Sequence, residues 1–154
     1  MFSKVFKNKK ILITGHTGFK GSWLSTWLTL CGAKIIGFSD KVPTRPSHFN
    51  LIKDYVNQNV FGDIRNFDEI YKCIKKVKPD YIFHLAAQPI VIRAYKEPLL
   101  TFQTNINGSL NILESLRRIN IKCIAVMITS DKSYFNQEWV YGYRETDKLG
   151  DVDP

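Results

Sequence analysis

The sequence contains little cysteine and no pattern of metal-ligating residues. Its three cysteines, Cys31, Cys73 and Cys123, stand on apolar segments that look like parts of strands or helices, and their spacing matches no zinc motif. An odd number of cysteines cannot all pair within one chain. We therefore expect buried, reduced cysteines and no metal site.

Long hydrophobic runs are also missing. No segment approaches the ~18 consecutive apolar residues of a membrane-spanning helix, and residues 1–10 are polar and basic with no apolar run after them. Neither a membrane partner nor a secretory signal peptide is expected. The expected location is the cytoplasm.

Acidic residues are outnumbered by basic ones. The 154 residues include 22 lysines and arginines and 14 acidic residues, which gives a net charge of +8. The lysines are scattered apart from an N-terminal cluster, and no motif combines aromatic with basic residues as nucleic-acid-binding domains do. Nucleic acid is therefore not an expected partner, whereas a mild attraction for an anionic nucleotide is.

The most informative feature present is a glycine-rich turn between an apolar strand and a helix. Residues 14–21 read Thr-Gly-His-Thr-Gly-Phe-Lys-Gly and follow directly on the apolar residues 11–13. Glycine permits positive φ and lets a ligand approach where a Cβ would intrude, while the N–H groups that begin the helix attract an anion. The G-x-x-G-x-x-G spacing alone is a weak signal, so its context must support it.

The segment after this turn completes a βαβ unit, with a helix over residues 22–30, a stop at Gly32 and a second strand over 33–38. This is about the ~30 residues of a mononucleotide-binding unit. The pattern therefore predicts a site for the pyrophosphate of a dinucleotide. The apolar residues expected to pack this helix on the sheet are Trp23, Leu24, Trp27 and Leu28.

Strands and helices alternate along the rest of the chain. Further strands are predicted over residues 56–62, 81–85 and 123–128, and helices over 68–77 and 98–120. The alternation predicts a parallel sheet with right-handed crossovers, and the turn after the first strand favours the order 3-2-1-4-5. The expected fold is α/β, a doubly wound Rossmann-like sheet of about five strands forming one domain over residues 1–154. The apolar side expected for the longer helix comprises Leu100, Ile106, Leu110, Leu113 and Leu116.

Polar residues lie where the carboxyl ends of the strands should face the cofactor. Either Asp40 or Ser39 would accept a hydrogen bond from the adenine-ribose 2′-hydroxyl, and Asp40 is equally well explained as a turn residue. An acid there favours NAD over NADP. Asp63 would either contact the adenine or stabilise a turn, and His84 is expected to be a strand residue with satisfied hydrogen bonds.

A second polar run, Thr-Ser-Asp-Lys at residues 129–132, follows the fifth strand. A hydroxyl, an acid and a base would thus meet near the expected position of the nicotinamide. An ordinary polar turn explains the same residues equally well.

Taken together, these motifs resemble the extended short-chain dehydrogenase/reductase family, and the match covers nearly the whole chain. Its strings are residues 14–21, His-Leu-Ala-Ala-Gln at 84–88, Thr-Asn at 104–105 and Thr-Ser-Asp-Lys at 129–132. Longer strings at 15–23, 43–47 and 138–145 are similar to the branch that dehydrates nucleotide sugars, with CDP-glucose as the implied substrate. The implied cofactor is NAD.

The patterns and the resemblance together assign cofactor binding to Gly15, Thr17, Gly18, Phe19, Lys20, Gly21, Asp40, Asp63, Ile64, Leu85, Ala86, Ala87, Gln88 and Asn105. By resemblance alone, Ser130 would hydrogen-bond the sugar C4 oxygen, Asp131 would protonate the departing C6 hydroxyl, and Lys132 would take the place of the base. The implied reaction is that of a hydro-lyase in deoxysugar biosynthesis.

One departure from the family concerns a tyrosine and a lysine. In the family, a Tyr-x-x-x-Lys helix follows directly after an Asp-Pro such as residues 153–154, and this chain stops there. We expect the chain alone to be an incomplete, inactive cofactor-binding domain, and a homodimer only if the protein is longer. Another nucleotide-sugar epimerase or dehydratase, and a non-catalytic nucleotide-binding remnant, remain as alternatives.

Overall fold

The computed structural model describes residues 2–130 and 133–150, with five parallel strands at their centre. The strands stand in the order β3-β2-β1-β4-β5, which confirms the predicted topology. Their bounds are Lys10–Thr14 for β1, Lys34–Ser39 for β2, Gln58–Phe61 for β3, Tyr81–His84 for β4 and Ile124–Met127 for β5.

Helices cover both faces of this sheet. They are α1 (Phe2–Phe6), α2 (Phe19–Leu30), α3 (His48–Ile52), α4 (Phe67–Val77), α5 (Val91–Lys96), α6 (Pro98–Phe102) and α7 (Gly108–Ile119). A 3₁₀ turn at Lys53–Tyr55 follows α3, and a π turn at Gln103–Asn107 joins α6 to α7. Among the described helices, none is both long and apolar enough to cross a membrane.

Two hydrophobic cores form because successive side chains of β1 point to opposite faces of the sheet. Leu12 belongs to the core beneath α4 and α7, and Ile11 and Ile13 belong to the core beneath α2 and α3. All three are fully buried. The central strand is therefore apolar on both sides, as expected of a parallel sheet between two helical layers.

The face that α2 buries differs from the predicted one. Trp23 and Trp27 are 54% and 47% exposed, and the buried residues are Gly21, Ser22, Ser25 and Leu28. Small side chains let the helix lie close to the turn, while Trp23 stacks on the ring of His48 at 4.2 Å. The prediction that Trp23 and Trp27 pack on the sheet was wrong, because small residues allow the closer approach, whereas Leu24 and Leu28 do pack in this core.

The helical segment predicted over residues 98–120 is interrupted by the π turn, and its buried face differs from the predicted one. A π turn adds a residue to the turn and so rotates the faces before and after it relative to each other. Ile106, Leu110 and Leu113, predicted to be apolar core, are 48%, 55% and 47% exposed, whereas Gly108, Ile112 and Ser115 are buried. The predicted apolar side was therefore wrong for these three residues, whereas Leu116 packs against the core beneath α4 and α7.

The cysteines are free, as predicted, but not all are buried. Only Cys73 is buried, and Cys31 and Cys123 are half-buried. Burial raises the pKa of the Cys73 thiol to about 11, so this cysteine is not a nucleophile at neutral pH.

Candidate functional site

In the turn after β1, the backbone at Gly15 lies close to the backbone segment that follows β4. Gly15 has φ +71°, and its N–H donates to the Phe38 carbonyl at 2.8 Å. A Cβ at Gly15 would lie 2.8 Å from the nitrogen of Ala86 and 2.8 Å from the carbonyl carbon of Leu85. Only glycine fits here, because both the φ angle and the packing exclude a side chain.

The other two glycines of the motif differ from each other. A Cβ at Gly21 would lie 2.2 Å from the Gly15 carbonyl oxygen, so Gly21 is required by the packing of helix on turn. At Gly18 the nearest such contact is 3.3 Å, again to the Gly15 oxygen. Among the described residues this is the one atom within 4 Å of such a Cβ, so Gly18 is open on its other sides, where its missing side chain leaves the backbone accessible.

The N-terminus of α2 lies at this turn and has no side-chain cap. Gly18 is the N-cap residue, and no side chain there accepts a hydrogen bond from the helix. The first N–H groups of a helix have no acceptor within the helix, and together with its dipole they attract anions. Phe19 and Lys20, which begin the helix, are exposed. The turn thus has the geometry of a phosphate site.

A buried histidine within the turn anchors it to the neighbouring strands. His16 is fully buried, its Nδ1 lies 2.9 Å from the Ser39 hydroxyl, and its Nε2 lies 3.0 Å from Asn59 Oδ1. Since Asn59 Oδ1 can only accept, Nε2 carries the proton and the Ser39 hydroxyl donates to Nδ1. Burial lowers the pKa of His16, so the ring is neutral.

The end of β2 presents an accessible acid beside this network. The Ser39 hydroxyl is already engaged by His16, and its oxygen also lies 3.5 Å from the Thr17 N–H. Asp40 is exposed, its side chain being 62% accessible, with its carboxylate 3.8 Å from the ammonium of Lys41. Thr17 is buried and its hydroxyl donates to the Lys41 carbonyl at 2.6 Å, which ties the following loop to the turn.

Asp63 lies just after β3 in a turn closed by Arg65. The Arg65 backbone N–H donates to Asp63 Oδ1 at 2.9 Å, and the guanidinium also binds this carboxylate. The hydrogen bond from the guanidinium lowers the pKa of Asp63. The two side chains border an open cavity of about 300 Å³, whose other lining residues are Asn66, Gln103 and Asn107.

Ile64, also predicted to bind the cofactor, is 6% exposed and belongs to the core beneath α4 and α7. A Cβ at Gly108 would lie 2.9 Å from Ile64 Cγ2, so α7 packs directly on this side chain. The Ile64 carbonyl accepts from the Asn111 amide at 2.9 Å. The Ile64 side chain is therefore packed within the core.

Beyond β4, Gln88 and Asn105 form a reciprocal pair. The Gln88 N–H donates to Asn105 Oδ1 at 2.8 Å, and the Asn105 amide donates to the Gln88 carbonyl at 3.1 Å. The Gln88 side chain is buried and bonds both backbone groups of Ile90 and the Thr101 hydroxyl. Both amides are thus occupied within the protein, and they fix the segment whose residues Leu85, Ala86 and Ala87 lie along the same edge of the sheet.

His84, at the end of β4, has the satisfied hydrogen bonds predicted for it. It is 3% exposed, its Nδ1 lies 2.7 Å from the Thr14 hydroxyl, and its Nε2 lies 3.1 Å from the Ser109 hydroxyl. Desolvation by burial lowers the pKa of His84 to about 4. It is therefore neutral at physiological pH.

Of the three predicted catalytic residues, only Ser130 is described. It is exposed beyond the carboxyl end of β5, and its carbonyl accepts from the backbone and the hydroxyl of Ser133. Asp131 and Lys132 lie outside the described residues. Residues 133–150 leave this point and return to it, because the Gly150 N–H donates to the Ser133 carbonyl at 2.9 Å.

Sequence reasoning did not identify the roles of Thr14, His16 and Arg65. A signal existed for two of them: Thr14 is a polar residue ending an apolar strand, and His16 stands between two glycines of the motif. Within the part of the chain that the structure describes, no group of three or more histidine, cysteine or acidic side chains is placed to hold a metal ion.

Comparison with known proteins gives a consistent result. The family model for GDP-mannose 4,6 dehydratase matches residues 12–152. The chain is 46% identical to CDP-glucose 4,6-dehydratase of Salmonella typhimurium, over 100% of the chain and 44% of that protein. It is 36% identical to CDP-paratose 2-epimerase of Salmonella typhi, over 90% of the chain and 41% of that protein.

Solved structures show the same fold. The dTDP-glucose 4,6-dehydratase of Bacillus anthracis, in complex with NAD, superposes with a TM-score of 0.77 at 24% identity, covering 95% of this chain and 45% of that one. The UDP-glucose-4-epimerase of Stenotrophomonas maltophila, with bound NAD, gives a TM-score of 0.80 at 24% identity, covering 92% and 43%. The chain thus spans a little under half the length of these relatives.

Proposed function

The chain belongs to the GDP-mannose 4,6 dehydratase family, and on that premise we propose that it is the cofactor-binding part of an NAD-dependent nucleotide-sugar 4,6-dehydratase. The proposed substrate is CDP-glucose, in keeping with the 46% identity to a protein of that activity. The product would be the CDP-linked 4-keto-6-deoxy sugar.

The observation that carries the proposal is the cradle formed by Gly15, Gly18 and Gly21 at the N-terminus of α2. Side chains at Gly15 and Gly21 would collide with backbone, and Gly18 leaves the backbone open beside uncapped N–H groups. A pyrophosphate fits such a site, because backbone donors and the helix dipole both favour its charge. NAD, when bound, supplies the group that accepts the C4 hydride and later returns it to C6.

The adenosine end of the cofactor would lie toward the ends of β2 and β3. Asp40 offers an exposed carboxylate that can accept from a ribose 2′-hydroxyl and would repel a 2′-phosphate. Ser39 is a poorer acceptor for this hydroxyl, because it is only 5% exposed and its oxygen already lies 3.5 Å from the Thr17 N–H. Asp63 and Arg65 border the adjacent cavity, whose polar lining suits a purine ring.

The sugar chemistry is assigned to the residues after β5. Ser130 would donate to the C4 oxygen, and Asp131 would protonate the departing C6 hydroxyl. Lys132 would remove the C5 proton, which requires a neutral amine and hence a pKa lowered by burial or by a neighbouring cation. Removal of this proton becomes feasible once C4 is a ketone.

The decisive experiment combines NAD titration with product analysis on the native, full-length protein. We expect binding of NAD and conversion of CDP-glucose to the 4-keto-6-deoxy product, with weaker turnover of GDP- and dTDP-linked sugars. Lys132→Met should abolish turnover with NAD binding unchanged, and Lys148→Met, whose ammonium stacks on Phe135, serves as the matched control. Epimerised CDP-sugar without dehydration would replace the proposal with an epimerase, and absence of NAD binding would reject it.

A further inference from the structure

A chain of hydrogen bonds runs along the edge of the sheet beneath the cofactor cradle. It joins the backbone after β4 to Thr14, Thr14 to His84, and His84 to Ser109 on α7. The Ser109 hydroxyl in turn lies 2.7 Å from the Asn105 carbonyl. The bonded residues come from β1, β4 and α7, and this series of hydrogen bonds ends at Asn105, the residue that pairs with Gln88.

Each hydrogen bond in this series has only one possible assignment of donor and acceptor. The Asn105 carbonyl can only accept, so the single proton of Ser109 goes to it, and the Ser109 oxygen must accept from His84 Nε2–H. His84 Nδ1 is then an acceptor, and the Thr14 hydroxyl donates to it at 2.7 Å. The ring is fixed as the neutral Nε2–H tautomer.

The donation from Thr14 to His84 matters because it leaves the lone pairs of the Thr14 hydroxyl oxygen free to accept hydrogen bonds. With its proton given to His84, this oxygen accepts from the backbone N–H groups of Leu85 and Ala86, both at 3.2 Å. The Leu85 N–H is shared, because it also donates to the Thr14 carbonyl at 3.1 Å. These residues lie against Gly15, where a Cβ would be 2.8 Å from the Ala86 nitrogen. The backbone of Thr14 thus binds Leu85, and the hydroxyl of Thr14 extends this hold to Ala86, the residue that lies against the glycine turn.

We propose that His84 is a positioning residue of the cofactor site, which orients the Thr14 hydroxyl and thereby sets the separation between the glycine turn and the Leu85–Ala86 backbone. The assignment of NAD to this crevice rests on the proposed function. His84 itself is only 3% exposed, so it acts through the Thr14 hydroxyl that it binds. Its low pKa, caused by burial, keeps the required neutral form at physiological pH.

The first test is the tautomer of His84 in the native, full-length protein. Two-bond ¹H–¹⁵N correlation spectra of ¹⁵N-histidine-labelled protein distinguish a protonated Nε2 from a protonated Nδ1, and loss of one signal in His84→Gln assigns it. We expect an unprotonated Nδ1 and a protonated Nε2 from pH 6 to 8. A protonated Nδ1, or exchange between the two tautomers, would overturn the proposal whether or not NAD binds.

The second test measures the NAD dissociation constant of variants. His84→Leu and Thr14→Val should each weaken NAD binding by about tenfold, since misplaced backbone loses about one hydrogen bond to the ligand. His84→Gln should restore binding to within about threefold, because its amide can accept from Thr14 and donate to Ser109. The matched control is Ser115→Ala. It removes a buried hydroxyl that donates to the Asn111 carbonyl and takes no part in the hydrogen-bond series of His84.

The outcomes separate this proposal from the proposed function. If the wild-type protein binds NAD and Thr14→Val binds equally well, His84 positions nothing and the proposal fails. If Ser115→Ala weakens binding as much as Thr14→Val, the effect is general destabilisation and the proposal also fails. If the wild-type protein does not bind NAD, the proposed function fails, and the tautomer measurement still decides whether the hydrogen-bond chain exists.

Discussion

The imidazole of His16 occupies the space that a side chain at Gly37 would need. A Cβ at Gly37 would lie 2.1 Å from the Cδ2 atom of His16 and 2.4 Å from its Nε2. A glycine in the middle of β2 is otherwise unfavourable, because it weakens a strand. Here it lets a buried polar ring join the glycine turn to β2 and, through Asn59, to β3.

Gly37→Ala should therefore destabilise the protein by about 2 to 3 kcal/mol, as overpacking of a rigid ring does. Adding His16→Ala removes the clash, so the double variant should be more stable than the sum of the single losses predicts. Urea denaturation measures each free energy of unfolding. The control is Gly142→Ala, where a Cβ would have no neighbour within 4 Å. Strictly additive losses would show that the two residues do not compete for this space.

Gly21→Ala should mainly reduce stability, whereas Gly18→Ala should mainly reduce NAD affinity. At Gly21 a Cβ would lie 2.2 Å from backbone, so we expect a loss of several kcal/mol in unfolding free energy. At Gly18 a Cβ would lie 3.3 Å from the Gly15 oxygen, a tight contact that a small shift relieves, so we expect a loss of only about 1 kcal/mol. NAD binding should weaken, because the methyl group would border the proposed phosphate position. Unchanged NAD affinity in Gly18→Ala would place the phosphate elsewhere.

The sheet could be predicted from sequence because its signals are local. Each strand is a short apolar run, and the glycine turn after the first strand implies the strand order. The hydrogen-bond networks could not be predicted, because their partners are far apart in the chain. His16 bonds a residue 43 positions away, and His84 bonds one 70 positions away. Only the folded sheet brings them together.

The same distinction explains the errors on the helices. Periodicity indicated where α2 and the segment from α6 to α7 would lie, but not which face would be buried. Close packing against a turn favoured Gly21 and Ser25 over Trp23. A π turn interrupts the second segment, and α7 after it buries Ile112 and Ser115 in place of Leu110 and Leu113. The buried faces of α2 and α7 depend on side-chain size and backbone geometry, and neither can be read from hydropathy.

Replacing Asp40 should change the choice between the two nicotinamide dinucleotides. Asp40→Asn removes the charge that would repel a 2′-phosphate while keeping the size of the side chain, so the preference for NAD over NADP should fall by about tenfold. Competitive titration with both cofactors measures the ratio. Asp54→Asn, an exposed acid in the 3₁₀ turn, is the control. An unchanged ratio would mean that Asp40 is only a turn residue.

Stability should fall as the pH is lowered below neutrality, because His84 is buried in its neutral form. Its pKa is about 4 in the folded protein, against 6.5 for the ordinary side chain, so between these values the unfolded chain binds more protons. The free energy of unfolding therefore increases with pH in this window, by up to about 1.4 kcal/mol per pH unit and on the order of 3 kcal/mol in total for this residue. His16, whose pKa is also lowered by burial, adds a contribution of the same sign.

Urea denaturation of the wild-type protein and His84→Gln at pH 7.0 and 5.0 isolates the part due to His84. The loss of stability on acidification should be smaller in His84→Gln by about 1 to 2 kcal/mol, since glutamine does not titrate and only His16 then contributes from the two buried rings. Carboxylates titrate equally in both proteins and cancel in the comparison. Equal losses in the two proteins would show that His84 accepts a proton in the folded state as readily as in the unfolded one, and would contradict the prediction.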